Sequence, residues 1–185
     1  MTLLLPVNER LEMPWDLEIY IRVYGLPAPQ GSKVPMRSTR GRLYVKESSK
    51  NVLPWRQAVQ LGCREAIKRY KHLVSFPLTE QVKVEQLFLW PRPASHFGTG
   101  SRSTVLKESS PYFQCAKNKG DLDKVLRASW DGLSRSTGGA LLFDDTQVVC
   151  SEESKEFAHA DQPPGAIMVV SRAKPKLPRL EYEIQ

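Results

Sequence analysis

The stretch KGDLDKVLRASWDGLS, Lys119–Ser134, carries the pattern from which the rest of the chain is read. Leu122, Val125, Leu126, Ser129 and Leu133 recur at the three- and four-residue steps of one helix stripe. The spacing predicts a helix from Asp121 to about Ser134, with Gly138-Gly139 marking its end. Upstream, Val82–Trp90 (VKVEQLFLW) alternates and predicts a strand. Downstream, the apolar run Ala140–Phe143 leads through a DDTQ turn into a strand around Gln147–Glu156, and Gly165–Ala173 (GAIMVVSRA) predicts a last, largely buried strand. Nearer the N-terminus, Asp16–Gly25 alternates as a half-buried strand. Leu53–Leu73 then returns Trp55, Val59, Cys63, Ala66 and Ile67 at helical spacing, with Pro54 in its first turn. Between these two, PAPQGSKVPMRSTRGRLYV reads as a basic loop.

The order strand, helix, strand, insertion, helix, strand, strand predicts a single α+β domain, one mixed β-sheet with helices packed on it. Residues 1–15 are expected as an N-terminal extension, 16–173 as the domain and 174–185 as a tail. Residues 92–119, rich in Pro, Ser, Gly and Thr, are expected as a basic loop insertion that is mobile until a ligand binds.

Composition narrows the function classes. With 41% hydrophobic and 25% charged residues the chain is ordinary for a folded domain, and no run approaches the roughly 18 apolar residues of a membrane span. Leu3–Leu5 is too short for a secretory signal core. Three scattered cysteines give neither a disulfide framework nor a zinc site, so a reducing cytoplasm is the expectation, with Cys63 as core. His72, His96 and His159 lack ligand spacing and are expected on the surface or in loops.

The net charge of +7 is segregated. Lys33–Lys71 holds 11 bases against 2 acids and Arg92–Gly120 holds 5 against 1, whereas Asp121–Asp161 holds 9 acids against 4 bases. Basic arms beside an acidic centre suit a polyanion, since neutralised phosphates release counterions while an acidic centre needs cations to tolerate the ligand. Solvated faces and an acidic turn are the plainer alternative.

On the predicted helix Asp123, Arg127 and Asp131 are spaced by four and line up on one face, with Asp121 at the helix start, where its carboxylate can accept backbone N–H groups. Asp144-Asp145 follows in a turn. Taken singly these are an N-cap, an ion-pair ladder and a hairpin turn. Taken together they are carboxylates that repel unless a cation joins them, and oxygen-only donors point to Mg²⁺ or Mn²⁺ rather than zinc.

GDLDKVLRASWDGL followed by FDDTQVV resembles the RusA family of Holliday junction resolvases, whose pattern is Asp-x-Asp-Asn, a lysine four residues after the second Asp, a further Asp, then Asp-Asp-x-Gln-Val. The basic loop and the Trp-containing helix after it also resemble that family, so the likeness spans roughly Asp16 to Ala173. It implies a metal-dependent endodeoxyribonuclease that resolves four-way DNA by paired nicks during recombination and repair, leaving 5′-phosphate ends. It further implies a RusA-like homodimer in a cytoplasm of bacterial or phage origin. Carried over by position, Asp121, Asp123 and Asp145 hold Mg²⁺, with Mn²⁺ able to substitute. Asp144 joins them, and Asp131 supports the site. Two positions depart from the pattern: Arg127 stands where the family has its lysine, and Lys124 where it has Asn. Arg keeps the charge but does not hand over a proton at neutral pH. Lys33, Arg37, Arg40 and Arg42, with Lys117 and Lys119, are the candidate DNA-phosphate contacts. Two other functions stay open: a non-catalytic branched-DNA-binding protein, and a flap or single-strand nuclease with the same metal chemistry.

Overall fold

A computed structural model describes residues 10–31, 33–47, 49–116, 120–159 and 161–175. Among the described residues, six strands and two α-helices follow one another as β1 (Glu18–Tyr24), β2 (Lys33–Arg37), β3 (Leu43–Glu47), α1 (Val52–Tyr70), β4 (Val82–Trp90), α2 (Leu122–Leu133), β5 (Val148–Phe157) and β6 (Gly165–Arg172). Four strands form the main sheet in the order β1-β6-β4-β5, with β6 antiparallel to both neighbours and β4–β5 parallel. The sheet is therefore mixed, with helices packed on it, and the α+β expectation holds.

The core forms because alternate strand residues meet the helix stripes. Ile19, Ile21 and Val23 of β1, Val82, Val84 and Phe88 of β4, and Met168 and Val170 of β6 are buried against Trp55, Val59 and Cys63 of α1 and Val125, Ala128 and Leu133 of α2. Burial pushes the Cys63 thiol up to about 12, so this cysteine is an inert core residue. Two glycines allow the close packing. A Cβ at Gly62 would stand 2.8 Å from the Arg22 carbonyl oxygen, and one at Gly132 would stand 2.7 Å from Val59 Cβ. α1 thus lies tight on β1, and α2 tight on α1. The Tyr70 hydroxyl also accepts from the backbone N–H of Tyr20 at 3.3 Å, a further tie of α1 to β1.

Two differences from the sequence reading matter for the site. The basic loop is a separate hairpin, β2 paired antiparallel with β3. Its turn closes through Ser38 N–H to Arg42 O at 2.9 Å, with Gly41 at φ +78°. Pro35 hid the alternation, but in a two-stranded ribbon each strand has a free edge, where a missing N–H is tolerated. The described part of the insertion, 92–116, also makes contacts of its own with the domain. The Arg92 guanidinium donates to the carbonyls of Ala158 and Pro111, each at 2.9 Å, and Lys107 Nζ donates to Ser95 O at 2.9 Å. Phe113 bridges to Glu156, so the segment's far end lies along β5 as a short extra strand.

Residues 10–15 also belong with the domain: Met13 is buried, and its N–H donates to Glu80 Oε1 at 2.9 Å. His72 and His159 are exposed, while His96 packs edge-on against Phe157 at 4.7 Å. Among the described residues, no helix is long and apolar enough to cross a membrane.

Candidate functional site

The acidic residues sit at the two ends of α2. Leu122, Val125, Leu126, Ser129 and Leu133 face the core as expected, and Ser129 Oγ accepts from the Trp55 indole N–H at 3.0 Å. That orientation turns Asp123 and Arg127 to the surface and leaves Asp131 half-buried. Asp121 occupies the N-cap position, but its carboxylate makes no capping bond. It accepts instead from Lys124 Nζ at 2.7 Å, and that ammonium holds Asp121 below its ordinary value. Lys124 therefore neutralises the first candidate ligand.

At the other end, Asp131 pairs with Arg56 of α1 rather than with Arg127. The ladder Asp123–Arg127–Asp131 is accordingly not formed, and Arg127 is exposed with no ion pair to any described residue. Asp144 caps a short turn, Asp145–Gln147, by accepting from the Thr146 N–H at 3.1 Å and its hydroxyl at 2.7 Å; both hold Asp144 below its ordinary value. Gln147 fixes this turn in place. Its Oε1 accepts from the Asp144 N–H at 2.9 Å, and its amide donates to Leu78 O and Glu80 O at 3.1 and 2.8 Å. Asp145 is thereby held in a partly dehydrated position, and burial together with the Asp144 and Asp131 carboxylates raises it above its ordinary value.

Of the predicted metal ligands, then, Asp145 is brought to Asp144 and Asp131. Asp121 and Asp123 sit on the first turn of α2, with Asp131 two turns further along the same helix. Among the described residues, no three His, Cys, Asp or Glu side chains are gathered tightly enough to hold a metal ion. The donor chemistry nevertheless fits a hard divalent cation. The donors are carboxylate oxygens, and Asp145 is raised first by burial and then by the Asp144 and Asp131 carboxylates.

The segment before the hairpin ties the basic and acidic parts together. Gln30 N–H donates to Lys124 O at 2.9 Å, and Gln30 Nε2 reaches Asp131 at 3.5 Å. Gly120, at φ +85°, lies against the Pro29 ring so closely that a Cβ there would collide with it. Pro29 and Gln30 therefore run along α2 as a strap, and β2 begins three residues after Gln30. On the hairpin Arg37, Arg40 and Arg42 are exposed, and Lys33 opens β2. Lys117 and Lys119 lie outside the described residues. A further tie was missed from sequence: Lys155 of β5 donates through Nζ to Gly120 O at 3.0 Å and pins the residue before Asp121. Gln30, Arg56 and Lys155 gave no signal in a single chain. Gln147 stood within the DDTQ motif but is assigned a role only by its contacts.

Neither a scan against known protein families nor a search of the curated proteins finds a match to this chain.

Proposed function

We propose that this protein is a RusA-like, metal-dependent endodeoxyribonuclease acting on branched DNA, with the Holliday junction as its leading substrate. The observation that carries the reading is the strap. Pro29 and Gln30 lie on α2, so a hairpin bearing Arg37, Arg40 and Arg42 springs from the same helix that bears Asp121, Asp123 and Arg127. Exposed arginines on a projecting ribbon hold phosphates by charge, independently of sequence. Asp121, Asp123, Asp144 and Asp145 are the carboxylates that would hold Mg²⁺ or Mn²⁺, and because no three of them are gathered tightly enough as they stand, the first turn of α2 and the 144–145 turn would have to draw together around the ion. Such an ion, when bound, supplies Lewis acidity and neutralises charge at the phosphodiester. Arg127 is unclaimed by neighbouring acids and presents its fork to the phosphoryl oxygens, where negative charge grows during hydrolysis. Asp131, paired with Arg56, stands beside Asp145 as a support of the site rather than as a ligand of the cation. A twofold homodimer gives the two sites that paired nicks require.

The second reading, a branched-DNA binder without turnover, is favoured by one contact. Lys124 already satisfies Asp121, as a bound cation would. Cleavage of a labelled four-way junction with Mg²⁺, Mn²⁺ or chelator separates the two. Paired, metal-dependent nicks in opposed strands, lost in Asp123→Asn with binding retained, support the nuclease. Junction binding without nicks in either metal selects the binder. Preference for flaps over junctions replaces the substrate and keeps the site.

A further inference from the structure

Tyr112 and Phe113 are 61% and 62% exposed, yet they stand on one of the better-anchored parts of the insertion. Phe113 bridges to Glu156, Phe157 N–H donates to Tyr112 O at 3.0 Å, and Gln114 N–H donates to Lys155 O at 2.9 Å. This is antiparallel strand pairing, in which Tyr112 stands opposite Phe157 and Gln114 opposite Lys155. Gln114 is itself only 2% exposed. From the other side, Arg92 grips the Pro111 carbonyl. The two rings lie 6.2 Å apart with their planes at 60°. Main-chain hydrogen bonds to β5 hold this backbone in place, which lessens the ordering a ligand must impose on the rings. Large aromatics held in water on a rigid mount indicate a binding surface rather than a core that failed to close.

Location and charge narrow the occupant. The strand neighbour of Gln114 is Lys155, whose ammonium holds Gly120, and Asp121 follows directly. The segment that carries the rings, Arg92–Gly120, has 5 bases against 1 acid in sequence, a balance that favours an anionic partner. A flat apolar ligand attached to a polyanion is a nucleobase, and one whose face is free is an unpaired one.

We propose that Tyr112 and Phe113 form a stacking platform for an unpaired base of branched DNA, one ring taking the base's face and the other, tilted 60° to it, flanking the base's edge, beside the N-terminal end of α2. This rests on the DNA reading above and adds to it the feature by which the protein tells a branch from a continuous duplex. Stacking on an aromatic side chain is sequence-tolerant, as every base has a π-face.

The test uses the full chain and two DNAs of equal length, a continuous duplex and the same duplex with a short unpaired bubble carrying 2-aminopurine. Wild type is expected to bind the bubble more tightly and to quench the probe. Tyr112→Ala/Phe113→Ala is expected to bind the bubble about tenfold more weakly or worse, without quenching, and to bind the duplex within about twofold of wild type. If the alanine pair fails to fold, Tyr112→Leu/Phe113→Leu keeps the apolar bulk without the π-face, and the same loss is expected. Unchanged bubble affinity and quenching, or equal weakening on both DNAs, overturns the platform. A shift of the double variant from dimer to monomer also overturns it, by assigning the rings to a second copy. Wild type that binds neither DNA removes the DNA reading itself, whereas equal binding of both DNAs by wild type and variant removes only the platform.

Discussion

Arg56 of α1 and Asp131 of α2 close an ion pair whose side chains are only 19% and 20% exposed, and this pair ties the helices together beside Asp145. Removing one partner strands the other in a partly dehydrated place. Arg56→Met is expected to lower stability by about 1–3 kcal/mol, read as a lower urea midpoint at unchanged slope. Adding Asp131→Asn is expected to recover part of that loss, because the stranded charge is then gone. Equal midpoints for wild type and Arg56→Met would make the pair energetically silent.

Asp145 carries a distinct pH signature. Its folded-state value is raised, so its stabilising contribution is complete below the unfolded value near 3.8 and is lost as pH rises through the folded one. At neutral pH the ionised carboxylate is therefore a net cost to the metal-free protein. Asp145→Asn in chelator is expected to raise Tm at pH 7 by on the order of 2 °C, with the gain shrinking toward pH 4. Asp144 behaves oppositely. Its value is lowered, so its contribution is present at neutral pH and fades as pH falls through the folded value. A gain for Asp145→Asn that persists unchanged at pH 4 would contradict the electrostatic cause.

Gln147 is the bolt of the acidic turn. Gln147→Leu leaves Leu78 O and Glu80 O without their amide donor and Asp144 N–H without its acceptor. A loss of about 1–3 kcal/mol is expected, with faster amide exchange at Thr146. Exchange there at the wild-type rate would show that the turn stands without it.

Gly120 meets two demands at once, a left-handed backbone and contact with the Pro29 ring. Gly120→Ala is expected to cost at least about 1 kcal/mol and to speed exchange at the Gln30 amide, which donates to Lys124 O. Exchange at Gln30 measured against a reporter in β6 separates local loosening of the strap from global destabilisation.

The hairpin arginines have an ionic-strength readout. If Arg37, Arg40 and Arg42 each neutralise one phosphate, replacing all three by alanine flattens the slope of log affinity against log salt by about 2.7 on duplex DNA. An unchanged slope would place the phosphate contacts elsewhere.

Where periodicity was undisturbed, the elements were legible. Val82–Trp90 reads as the strand that forms, and Leu122, Val125, Leu126, Ser129 and Leu133 give the buried stripe of α2. The β2–β3 hairpin was obscured because Pro35 breaks the alternation and each strand has only one partner. At the site, sequence located the carboxylates but not their partners. Asp131 was spaced for Arg127 yet meets Arg56, seventy-five residues away in the chain. Helical spacing reports only neighbours on the same helix, and the crossing of α1 over α2 at Gly132 decides that contact.

The pairing of Tyr112–Gln114 with Lys155–Phe157 bears on how copies of this chain can meet. On that part of β5 the outward main-chain groups are already taken by the same molecule, so a strand from another copy could be added there only by first peeling the segment away. The insertion thus acts as a stopper at the downstream end of this edge, closing a zip that a bare strand would leave open.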